Sequence, residues 1–383
     1  MLIYLIAGEP SGDMLGARLM RALKEKDPNI KFSGIGGENM QKEGLKSLFD
    51  ITDLAIMGLV EVIPSIPKVL RHMKNTINDI INQRPDMVIT IDSWSFSARI
   101  HKALRKKNIK TFQMHYVAPQ VWAWKKRRAK TMYKYIDHLL TLFPNEPQYF
   151  TPHKLPTDFV GHPAIESSML TIKTDEFKEK YNIDANKEIA LILPGSRHNE
   201  VANLLPTFIE TKNELQKKNK NLLFVLPTVS TVEKRVKEMV SKDNDILVIT
   251  TQKERYQASR LAKFAIAASG TVALELAIIN VPHVVCYKVP KLTAWIAKHF
   301  TNIKYINLTN ILLDKPIIPE LTQEECNKNK ILELIEELLD ETSNLYNKEK
   351  NGFEELRAKL GVGKQNPSQK ASEIILNILK ERK

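Results

Sequence analysis

Short, evenly apolar runs alternate with longer amphipathic stretches along the whole chain. Runs of this kind, rich in β-branched residues, suit the strands of a parallel sheet covered on both faces. The pattern predicts strands at residues 2–6, 31–37, 85–92, 110–117, 138–143 and 158–160, and again at 189–193, 222–227, 246–250, 264–268 and 281–287. Helical spacing fills the intervals: after the first strand, Leu15, Leu19, Met20 and Leu23 share one face. Residues 163–185 are polar and weakly periodic, which marks a domain boundary, and residues 324–383 read as three helices. The expectation is an α/β protein with one domain at residues 1–175 and another at 176–345. Residues 346–383 are expected as helices that pack back on an N-terminal domain, of this chain or of a partner copy.

The stretch 264–288 carries the densest chemistry: a buried strand, a glycine turn, a helix and a second buried strand. Ser269, Gly270 and Thr271 stand where strand hands over to helix, so free N–H groups and the positive end of the helix dipole point outward. Such a turn is an anion site. Glu275, one turn on among Val272, Ala273, Leu274, Leu276 and Ala277, is suited to hydroxyls, and a ribose has two; the same pattern also fits a well-capped helix with Glu275 facing water. Residues 189–197 repeat the construction, ending at Ser196 and Arg197, and the two turns could face one diphosphate. Each helix dipole contributes ~0.3–2 kcal/mol, and the arginine adds a permanent, bidentate-capable charge. Asn307, Asn310, Glu320 and Gln323, in a proline-rich connection, offer polar groups to orient a sugar or phosphate.

In the first half, Gly8 and Gly12 bracket the end of the first strand and Ser11 or Asp13 can cap the helix that follows. The spacing is not the dinucleotide fingerprint and no ribose acid follows it, so no nicotinamide or flavin cofactor is expected, although a sugar or phosphate could rest there. Asp92 falls at the carboxyl end of its strand, the edge where ligands gather in open α/β sheets. Met57, Val60, Ile63 and Ile66 lie beside Lys68, Arg71, His72 and Lys74, which fits a helix packed on the sheet and fits equally a surface resting on anionic lipid. Trp122, Trp124 and the cations Lys125, Lys126, Arg127 and Arg128 suit stacked bases, a phosphate beside an apolar chain, or a bilayer interface.

At 383 residues and 43% hydrophobic content, the chain exceeds one comfortable core and is not disordered. No run approaches the roughly 18–20 apolar residues of a membrane span. The first strand begins at once, so no signal peptide is expected. Cys286 and Cys326, the two cysteines, make neither a disulfide framework nor a zinc site, which points to a reducing, cytosolic compartment. The net charge of +13 favours a polyanion: nucleic acid, anionic lipid or a phosphorylated substrate. Asp243 and Asp245 form a DxD in a charged loop before a strand, read as a chance match, and no metal is expected.

Taken together, AGEPSGD (7–13), MGLVEV (57–62), HYVAPQVWAW (115–124), LPGSR (193–197), ASGTVALE (268–275) and the tract from NILL to PELTQEE (310–325) resemble the lipid-A-disaccharide synthases, in order and over nearly the whole chain. The resemblance implies an inverting, metal-independent glycosyltransferase with two Rossmann-like domains of the GT-B architecture. It implies transfer from UDP-2,3-diacylglucosamine to 2,3-diacylglucosamine 1-phosphate, forming the β-1′,6-linked lipid A disaccharide and releasing UDP. Asp92 matches the family's proposed general base, Arg197 an essential phosphate-side arginine, and Asn310 an asparagine near the donor. Ser196, Ser269, Gly270, Thr271, Glu275 and Gln323 complete the expected nucleotide site. Gly8, Ser11, Gly12, Met57, Val60, Ile63, Ile66, Trp122 and Arg127 form the expected acceptor and lipid surface. Asp92 is expected to face the nucleotide across a cleft, and the enzyme to work peripherally on the cytoplasmic face of an anionic inner membrane, without nucleic acid, with a homodimer possible through the C-terminal helices. One departure stands out: the motif usually resembles IDxPDF, whereas residues 91–96 read IDSWSF, without the proline or the second acid. The alternatives are a UDP-GlcNAc 2-epimerase or peptidoglycan GlcNAc transferase on the same fold, and a basic nucleic-acid-binding module, which has no use for two phosphate turns.

Overall fold

The computed structural model describes residues 1–54, 59–121, 126–241, 243, 245–289 and 304–382, with the backbone alone for 59–66 and 126. The chain forms two units, Met1–Ile165 with Gly363–Lys383, and Glu166–Val362.

In the first unit, β1 (Leu2–Ala7), β2 (Lys31–Ile35), β3 (Met87–Ile91), β4 (Phe112–Tyr116), β5 (His138–Thr141) and β6 (Thr157–Phe159) build a parallel sheet in the order β2-β1-β3-β4-β5-β6. Every residue of β3 is buried, as a strand covered on both faces requires. Helices α1 (Pro10–Lys26), α2 (Leu59–Gln83) and α3 (Trp94–Lys106) follow β1, β2 and β3. Proline at the start of α1 fits a position whose amide needs no partner, and Leu15, Leu19, Met20 and Leu23 are buried.

The second unit repeats the plan with β7 (Glu188–Leu193), β8 (Leu222–Pro227), β9 (Ile246–Ile249), β10 (Ala262–Ala268), β11 (His283–Tyr287) and β12 (Glu320–Thr322), ordered β12-β11-β10-β7-β8-β9 and parallel throughout. Its helices include α4 (His198–Lys218), α5 (Gln252–Leu261), α6 (Thr271–Ile278), α7 (Lys328–Leu339) and α8 (Asn344–Leu360). The two-residue strand period sorts the core: Ile192, Phe224 and Ile266 pack with α4 and α7 on one face, while Leu191, Val225 and Ala267 meet α5 and α6 on the other.

The unit boundaries differ from those read in the sequence. Residues 166–185 are polar, yet Phe177 is buried in the second unit's core and Gln257 donates to the Lys173 carbonyl at 2.9 Å, so this tract is that unit's first layer. Helix α8 also stays with the second unit, where buried Glu349 accepts the His283 amide at 3.0 Å and Phe353 stacks on the His283 ring. Only the last helix, α9 (Pro367–Glu381), returns to the first unit, where Lys26 on α1 pairs with Glu373 at 2.9 Å. Strand β12 falls where the sequence predicts a proline-rich connection: it is three residues long, on the sheet edge, directly after Pro319.

Candidate functional site

In an open α/β sheet, ligands bind outside the carboxyl ends of strands where the strand order reverses. In the first unit that point lies between β1 and β3, and in the second between β10 and β7.

At the first switch point the Gly8–Gly12 turn meets Asp92 and Ser93. A β-carbon on Gly8 would lie 2.9 Å from Ser93 Oγ, and one on Gly12 would lie 3.3 Å from the Ile91 carbonyl. Both glycines are therefore explained by the close approach of the β3 exit, while Ser11 is exposed on the first turn of α1. Ser93 Oγ donates to Glu9 Oε1 at 2.9 Å. Asp92 (φ 57°) and Ser93 (φ 44°) are both left-handed, as is Val117 (φ 81°) after β4. Such conformations cost on the order of 1–3 kcal/mol each and persist only where the surroundings enforce them. The enforcing bonds are Asp92 N–H to the Tyr116 carbonyl (2.9 Å), Ser93 N–H to Asp92 Oδ1 (2.7 Å) and Ser97 Oγ to the Asp92 carbonyl (3.0 Å). Burial lifts the Asp92 carboxyl above the usual aspartate range; the Ser93 amide opposes this and the nearby Glu9 charge adds to it.

The departure at residues 91–96 has a structural correlate. Trp94 opens α3 with its ring 4.7 Å from that of His115. Beneath it, Thr90 Oγ1 bridges His115 Nδ1 (2.7 Å) and His101 Nε2 (2.8 Å), and burial keeps both imidazoles neutral, with His101 lowered to about 4. An indole thus caps a buried histidine pair where the usual motif has a proline and an acid.

At the second switch point, Gly270 is extended (φ 166°) and caps α6 without a side-chain hydrogen bond. A β-carbon there would meet nothing within 4 Å. Thr271 is exposed, and Ser269 is fixed from both sides, its amide donating to the Cys286 carbonyl (3.2 Å) and its hydroxyl to the Ile306 carbonyl (3.0 Å). The start of α6 is therefore open at Gly270 and Thr271, and a helix N-terminus so placed suits an anion. Glu275 does not face water freely: Arg255 on α5 donates to its Oε2 at 2.9 Å.

The companion turn before α4 is not open. Glu200 folds back over it, its Oε2 accepting from the amides of Ser196 (3.0 Å) and Arg197 (3.2 Å) and its Oε1 from the Arg197 guanidinium (2.7 Å). Gly195, at φ 109°, is needed because a β-carbon would collide with that carboxylate. The turn expected to hold an anion is filled here by the protein's own carboxylate: a helix whose third residue is glutamate can satisfy the amides at its N-terminus. Arg197 itself is 71% exposed.

Two other expected ligands are engaged by protein groups. Asn310 is buried; its Oδ1 accepts the Ile317 and Ile318 amides (both 2.9 Å), and its Nδ2 donates to the Ile318 carbonyl (2.8 Å) and to Glu320 Oε1 (2.9 Å). Glu320 in turn accepts the amides of Ile306 and Asn307, both at 2.9 Å, which places the Ile306 carbonyl against Ser269. Gln323 exchanges two hydrogen bonds with the backbone of Val289, at 3.0 and 3.1 Å. Asp243 of the DxD pairs with buried Lys212 at 2.6 Å. Arg127 is exposed in the turn Lys126–Arg128. Met57 and Trp122 lie outside the described residues, as do the side chains of Val60, Ile63 and Ile66 on α2.

Residues 3–375 match the model of a family described as lipid-A-disaccharide synthetase. Lipid-A-disaccharide synthases of Paramagnetospirillum magneticum and Rhodospirillum centenum are 44% and 40% identical to the chain, covering 100% of it and 99% and 96% of their own lengths. The chain belongs to the lipid-A-disaccharide synthase family. Among solved structures, a UDP-GlcNAc 2-epimerase from Neisseria meningitidis bound to UDP-GlcNAc aligns with a TM-score of 0.66 at 14% identity over 100% of both chains. A glycosyltransferase from Rickettsia africae aligns with a TM-score of 0.58 at 12% identity, covering 99% of this chain and 97% of its own. At these identities the likeness shows the fold alone, two Rossmann-like α/β domains of the GT-B type. Membership of the lipid-A-disaccharide synthase family makes the chain a hexosyltransferase. Among the described residues, no three His, Cys, Asp or Glu side chains form a group that could hold a metal, and no helix is long and apolar enough to cross a membrane.

Proposed function

We propose that the chain transfers the 2,3-diacylglucosaminyl group of its UDP donor to the 6-hydroxyl of 2,3-diacylglucosamine 1-phosphate, forming the β-1′,6-linked lipid A disaccharide. The acceptor oxygen bonds to the anomeric carbon from the face opposite UDP, the bond from that carbon to the β-phosphate oxygen breaks with its electron pair, and the acceptor proton passes to Asp92. The observation that carries this reading is Asp92 itself: a carboxylate at the first switch point, held in strained backbone and lifted by burial, in a chain matching the family over residues 3–375. A raised pKa makes it a better base than an ordinary aspartate.

The diphosphate rests on the amides at Gly270 and Thr271, with the ribose at Glu275. Arg197 reaches the leaving phosphate by exchanging its Glu200 partner for the incoming anion, and its exposure leaves it free to move. Ser196 contributes its amide to the same exchange. Asn310 and Gln323 act through the backbone they hold rather than by touching the donor. Residues Gly8, Ser11 and Gly12 receive the acceptor sugar, and Met57, Val60, Ile63, Ile66, Trp122 and Arg127 its acyl chains and an anionic bilayer surface, which makes the enzyme peripheral on the cytoplasmic face of the membrane. A homodimer that exchanges residues 363–383 between copies fits a last helix joined to the rest through a short glycine-containing link.

The test is UDP release with acylated and non-acylated UDP-glucosamine donors and the lipid 1-phosphate acceptor. The reading expects turnover only with the acylated pair and its loss in Asp92→Asn and Arg197→Ala. Near-normal turnover in Asp92→Asn, or preference for UDP-GlcNAc, would end it. Val60→Ser with Ile66→Ser should weaken vesicle binding or raise the KM for acceptor in a folded protein; if neither moves, these side chains are not the lipid contact.

A further inference from the structure

We propose that Arg255 is the positioning residue for Glu275, and that the pair makes the donor site select a ribonucleotide over a deoxyribonucleotide. This rests on reading the start of α6 as the nucleotide site. The side chain of Glu275 is only 14% exposed, on a helix whose neighbouring residues Ala273, Leu274, Leu276 and Ala277 are buried. A carboxylate in such surroundings calls for a hydrogen-bond partner. Arg255 supplies it: Nη1 lies 2.9 Å from Oε2, and the guanidinium lies 4.8 Å from the centroid of the Tyr256 ring. Helices α5 and α6 pack in one core cluster through Ala258 and Leu276, so the pair is set by two adjoining helices and not by a chance surface encounter.

The arrangement has a chemical consequence. The arginine engages Oε2, and among the described residues no side chain donates to Oε1. An ionised carboxylate can only accept, so the vacant oxygen recognises a hydroxyl donor. A ribose hydroxyl meets that demand. A deoxyribose lacking it would leave one oxygen of the carboxylate without its donor at a largely buried position, which the site penalises more than it would a missing contact in water. Arginine shapes the choice because its single hydrogen bond occupies Oε2 and leaves Oε1 for the ligand.

Calorimetric titration of the full chain with UDP, 2′-deoxy-UDP and 3′-deoxy-UDP tests this. The unaltered chain should bind UDP about tenfold or more tightly than at least one deoxy analogue, as expected for a hydrogen bond to a charged group. Arg255→Gln should bring that ratio towards one while the chain stays folded, Arg255→Lys should restore part of it, and Glu275→Gln should abolish it with no further loss in the double variant. If Arg255→Gln fails to fold, Arg255→Lys carries the comparison through an intermediate ratio. An unchanged ratio in both Arg255 variants, or an equal loss for all three nucleotides, overturns the proposal. Failure of the unaltered chain to bind UDP at all would instead overturn the donor-site reading beneath it.

Discussion

Replacing Glu200 with glutamine tests whether the turn before α4 is held by an internal stand-in for phosphate. The carboxylate makes three contacts, two to the amides of Ser196 and Arg197 and one to the Arg197 guanidinium. Glutamine keeps a carbonyl oxygen for the amides but offers the guanidinium a neutral group. The lost ion pair is exposed on the arginine side and worth ~0.3–0.5 kcal/mol. Losing a negative charge at the helix N-terminus costs a further ~0.3–1 kcal/mol. The fold should therefore lose about 1 kcal/mol, a fall in Tm of ~2–4 °C for a domain of this size. The effect on UDP runs the other way. A diphosphate approaching this turn meets a negative charge within one helical turn, and removing a like charge at that range in partly solvated surroundings is worth on the order of 1–2 kcal/mol. That converts to a Kd about five- to thirtyfold lower. Titration with UDP at two salt concentrations, beside thermal unfolding, reads both effects, and the gain should shrink as salt rises. A double variant with Arg197→Ala should bind UDP more weakly than Glu200→Gln alone, because the guanidinium is lost, while keeping the part of the gain that comes from the removed like charge. Reduced Tm with unchanged or weaker UDP binding would mean that Glu200 is a helix cap and nothing more, and that the diphosphate never reaches this turn.

Three further outcomes follow from the same geometry. Activity should need ionised Asp92, so the acid limb of kcat/KM should have its midpoint above the ordinary aspartate value, and Glu9→Gln should move it down by removing a like charge; a limb at the ordinary value, or an upward move, contradicts the assignment. Burial pushes Glu146 up to about 7, so the folded state holds a proton that the unfolded state releases, and this contribution to stability is complete below the ordinary glutamate range and lost as pH rises through 7. Glu146→Gln, which keeps an acceptor for the Leu142 and Phe143 amides, should accordingly leave Tm unchanged at pH 4 and raise it at pH 8, with a gain in unfolding free energy of at most on the order of 3 kcal/mol; equal shifts at both pH values would show that the proton is not the cause. Asn310→Ala orphans two buried amides and should destabilise the second unit by about 3–5 kcal/mol in denaturant unfolding, whereas a loss below about 1 kcal/mol with abolished UDP binding would return the residue to the donor.

What the chain declares and what it conceals divide along physical lines. Strands buried on both faces advertise themselves, because every position must be apolar, as in Met87–Ile91. Strand β12 does not, with a single fully buried residue, Leu321, on a sheet edge. The two strand-to-helix turns are visible because glycine after an apolar run has few other uses, and the place of Asp92 follows from its strand. The left-handed backbone at Asp92 and Ser93 leaves no such trace: aspartate tolerates it, but serine gives no signal. Phe177, with Tyr181 and Ile183 beside it, ties the polar tract 166–185 to the second unit's core, but these residues are outweighed by their charged neighbours when composition alone is read.

The protein partners of Asn310 and Gln323 have a common cause. Asn310 and Gln323 look like groups awaiting a substrate because they are polar residues in a proline-rich connection, yet Asn310 satisfies the backbone of residues 317 and 318, and Gln323 that of Val289. Pro316 and Pro319 bring carbonyls without amides, so a side-chain amide from Asn310 closes the segment that a strand would otherwise pair. Glu200 and Arg255 show the converse. Each is a charge that answers a charge already noticed, Arg197 in one case and Glu275 in the other. Reading an arginine or a glutamate as available for a ligand therefore requires finding what holds it in the ligand's absence. For Glu200 that partner stood three residues away and was legible from helix spacing; for Arg255 it lay across a strand and a turn, in a contact that only the packing of α5 against α6 creates.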